Sequence, residues 1–297
     1  MGDRLTFAYG PGVDISYRVV GRGPTPVVFV HGFAAALTTW DDIAPLFPAE
    51  RFTLYLIDLK GFGFSSKPCT GSYAIEEQAA VTAAFIKSMG LSHVILTGHS
   101  LGGAIVLLVT LQARDRGDTG LVARLILVAC SAYPQKLPRL MGWLRIPLLA
   151  RIGMALIPVR TIVRYTLARV FHDTRAITPE RIRRYERCFG RRGMAGVLIR
   201  SARAIDPGSY GAITARYREI DVPTLIVWGK EDRIVRIGQG KRLAEEMPDA
   251  RLAVLDGCGH NPHEERPRET FAAIMEFLGN GEEREEGSGR SWREARR

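Results

Sequence analysis

Cysteine is scarce, and what there is lies scattered. The four thiols, Cys69, Cys130, Cys188 and Cys258, form no C-x-x-C pair and no Cys/His cluster of metal-ligand spacing, so free thiols in a reducing compartment and no metal site are expected. The chain also lacks a P-loop and a dinucleotide fingerprint, which removes the usual grounds for expecting a nucleotide cofactor. No apolar stretch of signal-peptide length precedes Tyr9, so a cytoplasmic protein is expected. The first six residues fit a myristoylation pattern, but residues 5–9 read as the opening strand. Acidic residues are sparse in one place: residues 133–218 hold 18 Lys and Arg against 4 Asp and Glu, a net +14, whereas the rest of the chain is −4. The excess positive charge is therefore local. Arg outnumbers Lys 35 to 6, a bias that genome composition also produces, so the basic segment reads equally as a solvated face. No nucleic-acid partner is expected.

What is present is organised around Gly98-His99-Ser100-Leu101-Gly102. Residues 94–97 are apolar and partly β-branched, and residues 103–113 are Ala- and Leu-rich, so a serine sits on a strand-to-helix turn. Such a turn is tight enough that side chains at 98 and 102 would collide, and it pushes the hydroxyl over the sheet edge at a helix N-terminus, where negative charge is favoured.

The chain alternates around this point. Residues 5–9 and 15–20 read as a hairpin, and residues 26–30, 52–57, 94–97 and 125–129 as buried strands. Helices are expected over 40–47 and over 75–89, the latter stopped by Gly90. Residues 133–218 offer helical stretches and no convincing strand, after which strands return at 223–228 and 251–255, followed by a helix over 265–278. The expected fold is α/β, a mostly parallel central sheet flanked by helices with an inserted all-helical cap. The expected divisions are a core over 1–132 and 219–279, the cap over 133–218, and a disordered charged tail over 280–297.

A serine hydroxyl needs a base, and the base needs a carboxylate. Asp232 and His260 follow the two late strands, giving the chain order Ser100, Asp232, His260. Glu231 and His263 are the neighbouring rivals. The glycines flanking His260 favour it, since a loop that swings an imidazole over the serine needs unusual backbone angles. Backbone amides of Leu101 and Phe33 are the candidate oxyanion donors. His31, His99 and Trp143 are candidates for the substrate pocket, with loop-fixing and packing as the other readings of the two histidines.

Taken together, His31-Gly32-Phe33, the loop 58–65, Gly98 to Gly103, Trp228-Gly229 with Asp232, and Gly259-His260 resemble the α/β-hydrolase superfamily over about residues 5–278. The resemblance implies a Ser-His-Asp triad under a helical cap, and it is nearest to capped esterases, monoacylglycerol-lipase-like enzymes and C–C bond hydrolases. Epoxide hydrolases and haloalkane dehalogenases of that superfamily carry aspartate where Ser100 stands. A cofactor-independent serine hydrolase acting on a small apolar ester is expected, with C–C hydrolysis of a vinylogous diketone acid, then a non-catalytic receptor, as alternatives. Residues 137–171 mix apolar residues with arginines and cannot span a bilayer. They read either as pocket and core packing or as peripheral contact with an anionic membrane.

Overall fold

The computed structural model describes residues 3–135, 139–205 and 210–279. The expected tail over 280–297 lies outside them, as do residues 1–2, 136–138 and 206–209.

Eight strands form one sheet: β1 (Arg4–Gly10), β2 (Val13–Gly21), β3 (Thr25–Val30), β4 (Phe52–Ile57), β5 (Val94–His99), β6 (Val122–Val128), β7 (Thr224–Gly229) and β8 (Ala250–Leu255), in the spatial order β1-β2-β4-β3-β5-β6-β7-β8. The hairpin β1–β2 and the β2–β4 pair are antiparallel, and every later pair is parallel. Successive side chains point to opposite faces, and both faces are covered. In β3, Val28 and Val30 join α1 (Ile75–Ser88) and α2 (Leu101–Asp115) in one core, while Val27 and Phe29 face Trp40, Phe47 and the last helix in the other. That is why 27–30 reads as an unbroken apolar run. Each such fully buried side chain contributes roughly 1.5–3 kcal/mol.

The chain passes from β3 to β4 on one side and then to β5 on the other. Strand order therefore reverses beside β3, and the crevice at the carboxyl ends of β3 and β5 is where open α/β sheets bind ligands.

Between β6 and β7 the described chain is helical: α3 (Arg139–Leu144), α4 (Pro147–Leu156), α5 (Val159–Val170), α6 (Pro179–Phe189), α7 (Met194–Ala204) and α8 (Tyr210–Thr214), with 3₁₀ turns at Thr174–Ala176 and Tyr217–Glu219. Part of this insertion has a core of its own, Val163, Leu167 and Phe171 against Ile182, whereas Met194, Val197 and Leu198 of α7 pack on the main core. Polar ties hold it down. Arg181 and Arg184 reach Asp42, and Arg200 donates to the carbonyls of Pro68 and Cys69.

The last elements are α9 (Gly238–Glu246), α10 (Pro262–Glu265) and α11 (Pro267–Gly279). Two expectations need correction. Residues 40–47 do not form one helix but two 3₁₀ turns, Leu37–Trp40 and Ala44–Leu46, because Pro45 has no N–H to carry a helix through. The final helix, expected over 265–278, begins at Pro267, with the short α10 ending at Glu265 before it. No helix among the described residues is long and apolar enough to cross a membrane.

Candidate active site

Ser100 closes β5 and opens α2, with φ 51° and ψ −115°. A non-glycine residue held in so sparsely populated a conformation signals strain that the surroundings must enforce. They do so by crowding. A Cβ on Gly98 would collide with the Gly102 carbonyl, as the sequence suggested, but a Cβ on Gly102 would collide with the Val30 and His31 carbonyls at the end of β3. Ala34 and Ala129, on the neighbouring loops after β3 and β6, also have positive φ.

His260 is brought over the serine. Its Nε2 lies 3.0 Å from Ser100 Oγ and its Nδ1 lies 2.7 Å from Asp232 Oδ2. The other Asp232 oxygen accepts from the amides of Ile234 (2.8 Å) and Val235 (3.0 Å), which fixes the carboxylate's orientation. With Asp232 ionised, Nδ1 is the donor and Nε2 is left to accept from the serine hydroxyl. All three groups are nearly buried, where electrostatic interactions are strong.

The rivals are elsewhere. Glu231 accepts from the Cys258 amide at 2.9 Å and so tethers the loop that carries His260. His263 meets Thr39 Oγ1 at 2.9 Å and stacks on Trp40 with centroids 4.3 Å apart. Burial, with His260 nearby, pushes the His263 pKa down to about 3.

Phe33 and Leu101 lie at the carboxyl ends of β3 and β5, and among the described residues neither amide donates to a protein acceptor. Two unspent N–H groups beside Ser100 are what an oxyanion would need.

Of the three pocket candidates, the two histidines take their loop-fixing and packing readings, and Trp143 lies away from the site. His31 is fully buried: Nδ1–H donates to the Gly32 carbonyl at 2.8 Å, and Nε2 accepts from the Leu59 amide at 3.0 Å. Burial lowers its pKa to about 4, so it is a neutral loop-fixing residue. His99 is also a packing residue, its Nε2–H donating to the His260 carbonyl at 2.9 Å and its ring lying between His260 and His263. Its pKa is well below the ordinary value, first through burial and then through those two rings. Trp143 stands 64% exposed on α3, where nothing buries it against the site.

Of the glycines before His260, one meets the expectation of unusual backbone angles and one does not. Gly257 has φ 61°, but Gly259 has no positive φ. A Cβ on Gly259 would strike the Val170 carbonyl and the His172 amide, so glycine is required there by the approach of the insertion. The contact is intimate, since the His260 amide donates to Val170 O at 2.7 Å. Three residues at the site were not foreseen. Ser131 Oγ lies 3.4 Å from Ser100 Oγ, just past the end of β6, a position that strand ends in a parallel sheet would have flagged. Glu265 accepts from the amides of Gly259, His172 (2.5 Å) and Asp173 (3.1 Å), joining the His260 loop to the insertion. Glu264, buried and with its pKa raised by that burial, accepts from Tyr185 at 2.6 Å and Asn261 at 2.6 Å. No spacing in the sequence announces either glutamate. Among the described residues no cluster of His, Cys, Asp and Glu converges as a metal site.

With this geometry in hand, comparison with known proteins is informative. A sequence profile of the alpha/beta hydrolase family matches residues 27–274. A 2-hydroxy-6-oxononadienedioate/2-hydroxy-6-oxononatrienedioate hydrolase of Burkholderia vietnamiensis is 28% identical over 276 residues, 91% of this chain and 92% of its own. An uncharacterized hydrolase of Bacillus subtilis, YugF, is 27% identical over 273 residues, 90% of this chain and 95% of its own. Among solved structures, a thermophilic esterase from Thermogutta terrifontis superposes with a TM-score of 0.75 at 25% identity, covering 94% of this chain and 98% of that one.

Proposed function

The chain belongs to the alpha/beta hydrolase family, and on that premise we propose that it is a serine hydrolase cleaving a carboxylic ester with an apolar acyl or alcohol part. The observation that carries the reading is the continuous hydrogen-bond chain from Ser100 Oγ through His260 to Asp232, at 3.0 and 2.7 Å. In this reading Ser100 Oγ attacks the ester carbonyl while His260 Nε2 takes its proton, and Asp232 stabilises the imidazolium. The carbonyl oxygen, now an anion, receives the Phe33 and Leu101 amides, each donor worth roughly 3 kcal/mol in the transition state. His260 then returns the proton to the departing alkoxide, which leaves as the alcohol. Water, deprotonated by the same ring, attacks the acyl-serine, and the carboxylic acid leaves with Ser100 restored. The helical insertion serves as the cap, and no cofactor enters the sequence of steps.

A second reading is C–C bond hydrolysis, favoured by the nine-tenths coverage shared with a relative named for dienedioate hydrolysis. Such a dianion would call for a free cation beside the serine. Three arginines of the insertion that reach the core are engaged instead, Arg181 and Arg184 with Asp42 and Arg200 with two carbonyls, and Arg191 lies over the Phe64 ring, which supports the neutral ester. The test is a chain-length series of nitrophenyl esters run beside a ring-fission dienoate. Turnover of esters at kcat/KM well above that of the dienoate is expected, and turnover of the dienoate alone would reverse the order.

A further inference from the structure

Helix α4 is apolar on both sides. Its inner side is committed, with Ala150 buried and Met154 packed against the main core. On its outer side Leu148, Ile152 and Leu156 recur every four residues and so form one stripe along the helix. Leu148 and Leu156 are 69% and 77% exposed, and the exposed Trp143 precedes them on α3. A single exposed leucine is ordinary, whereas a contiguous stripe of this kind marks an interaction surface.

The charge around the stripe says what would cover it. Between residues 119 and 172 the chain contains no Asp or Glu. Arg145, Arg151 and Arg164 are exposed there and pair with no acid among the described residues, and Arg160 has one distant partner, Glu186 at 3.5 Å. A second copy of the chain would bring the same arginines against its own across a two-fold axis. An apolar stripe with the unpaired Arg145 just before its helix and Arg151 within it is complementary instead to an anionic bilayer, where leucines enter the acyl boundary and guanidinium groups remain among the phosphates. The ten residues of α4 extend about 15 Å, half of the hydrocarbon thickness of about 30 Å, so the helix would lie in the interface plane.

We propose that α4, with the end of α3, is a docking surface for an anionic phospholipid bilayer. This assignment is independent of the reaction assigned to Ser100, because its test reads binding.

The experiment is co-sedimentation with vesicles of phosphatidylcholine alone and of phosphatidylcholine with phosphatidylglycerol, at low and high salt. Recovery with the anionic vesicles and release by salt are expected, together with a blue shift of tryptophan emission that Trp143→Phe abolishes. Replacing Arg145 and Arg151 by Gln lowers partitioning by roughly twenty-five-fold, about fivefold per charge. Replacing Leu148 and Leu156 by Ser lowers it by at least about tenfold, while hydrolysis of a small soluble ester stays unchanged in both double variants. Equal recovery with the two kinds of vesicle, no recovery with either, or anionic binding that neither double variant weakens would overturn the proposal. So would a solution dimer that buries Trp143.

Discussion

Among the described residues two aspartate–histidine pairs lie at strand ends, and one of the two is joined by a hydrogen bond. Asp232 spends Oδ1 on two backbone amides, which leaves Oδ2 for His260 Nδ1 at 2.7 Å and frees the far edge of the ring for Ser100. Asp58, at the end of β4, spends one oxygen on each of two amides, Leu37 at 2.7 Å and Phe64 at 2.8 Å. His31 Nε2 is 3.9 Å away and already accepts the Leu59 amide. Both carboxylates are buried, and both histidines sit beside the crevice. The difference lies in which lone pairs the backbone has left over: the first pair is free to take the proton-moving role proposed for it, and the second is spent on holding loops together.

Substitution breaks the comparison most sharply at the first pair. Ser100→Ala and His260→Ala should each lower turnover of a soluble ester on the order of 10⁶-fold, and the double variant should lose no more. Asp232→Asn should cost roughly 10⁴-fold. Thermal unfolding of these variants should stay near that of the parent, and Ser100→Ala retaining more than about a hundredth of the rate would remove the serine from its proposed role. Asp58→Asn should behave in the opposite way. Turnover per folded site, counted by fluorophosphonate titration, should change by less than about tenfold, while the urea midpoint reports a loss of roughly 2–3 kcal/mol from two compromised buried hydrogen bonds.

Titration sharpens the same contrast. The folded-state pKa of His31 is about 4 and that of His263 about 3, both below the ordinary 6.5, so each contributes stability that is present above pH 6.5 and lost as pH falls. Asp58 runs the other way. Burial pushes its pKa up to about 6, so its contribution is complete below pH 3.8 and lost as pH rises through about 6. His31 and Asp58 therefore offset each other to within about 1 kcal/mol over the full acid range. His263 and His99 lose their contributions as pH falls, and Glu264, whose pKa burial raises, acts against them. Urea titrations at pH 6.5 and pH 5 should show His263 accounting for a stability loss of about 2 kcal/mol, and His263→Gln should flatten that part of the acid limb.

The sequence made the strand-turn-helix at Ser100 legible because its cause is local: a β-branched run, two glycines and an Ala/Leu helix within twenty residues. The order Ser100, Asp232, His260 was legible because strand ends announce themselves by where apolar runs stop. What escaped is long-range. Leu37–Trp40 is a 3₁₀ turn whose first amide is taken by Asp58, a partner in another loop. Gly259 is dictated by Val170 and His172, and nothing near residue 259 records that approach. Glu265 clamps the His260 loop to the insertion through main-chain amides, which carry no sequence signal. Trp143, a pocket candidate from the sequence, belongs to the outward-facing apolar surface instead.

The smallest effect tests the finest distinction, the one between the adjacent acids Glu231 and Asp232. Among the described residues Glu231 makes no hydrogen bond to His260. It receives the Cys258 amide at 2.9 Å, and its own amide returns a bond to Cys258 O at 3.0 Å, so it steadies the loop two residues upstream of the imidazole. Glu231→Gln keeps an acceptor oxygen at that place and should leave both stability and turnover nearly untouched. Glu231→Ala orphans the Cys258 amide at a cost of about 1 kcal/mol and should lower kcat by less than about tenfold, because Asp232 still fixes the ring. The outcome to watch is the ranking of the two acids in one assay. If Glu231→Ala approached the loss predicted for Asp232→Asn, the orientation of His260 would depend on the loop tether as much as on its carboxylate partner, and the contrast between a proton-moving pair and a loop-holding one would no longer separate the two regions.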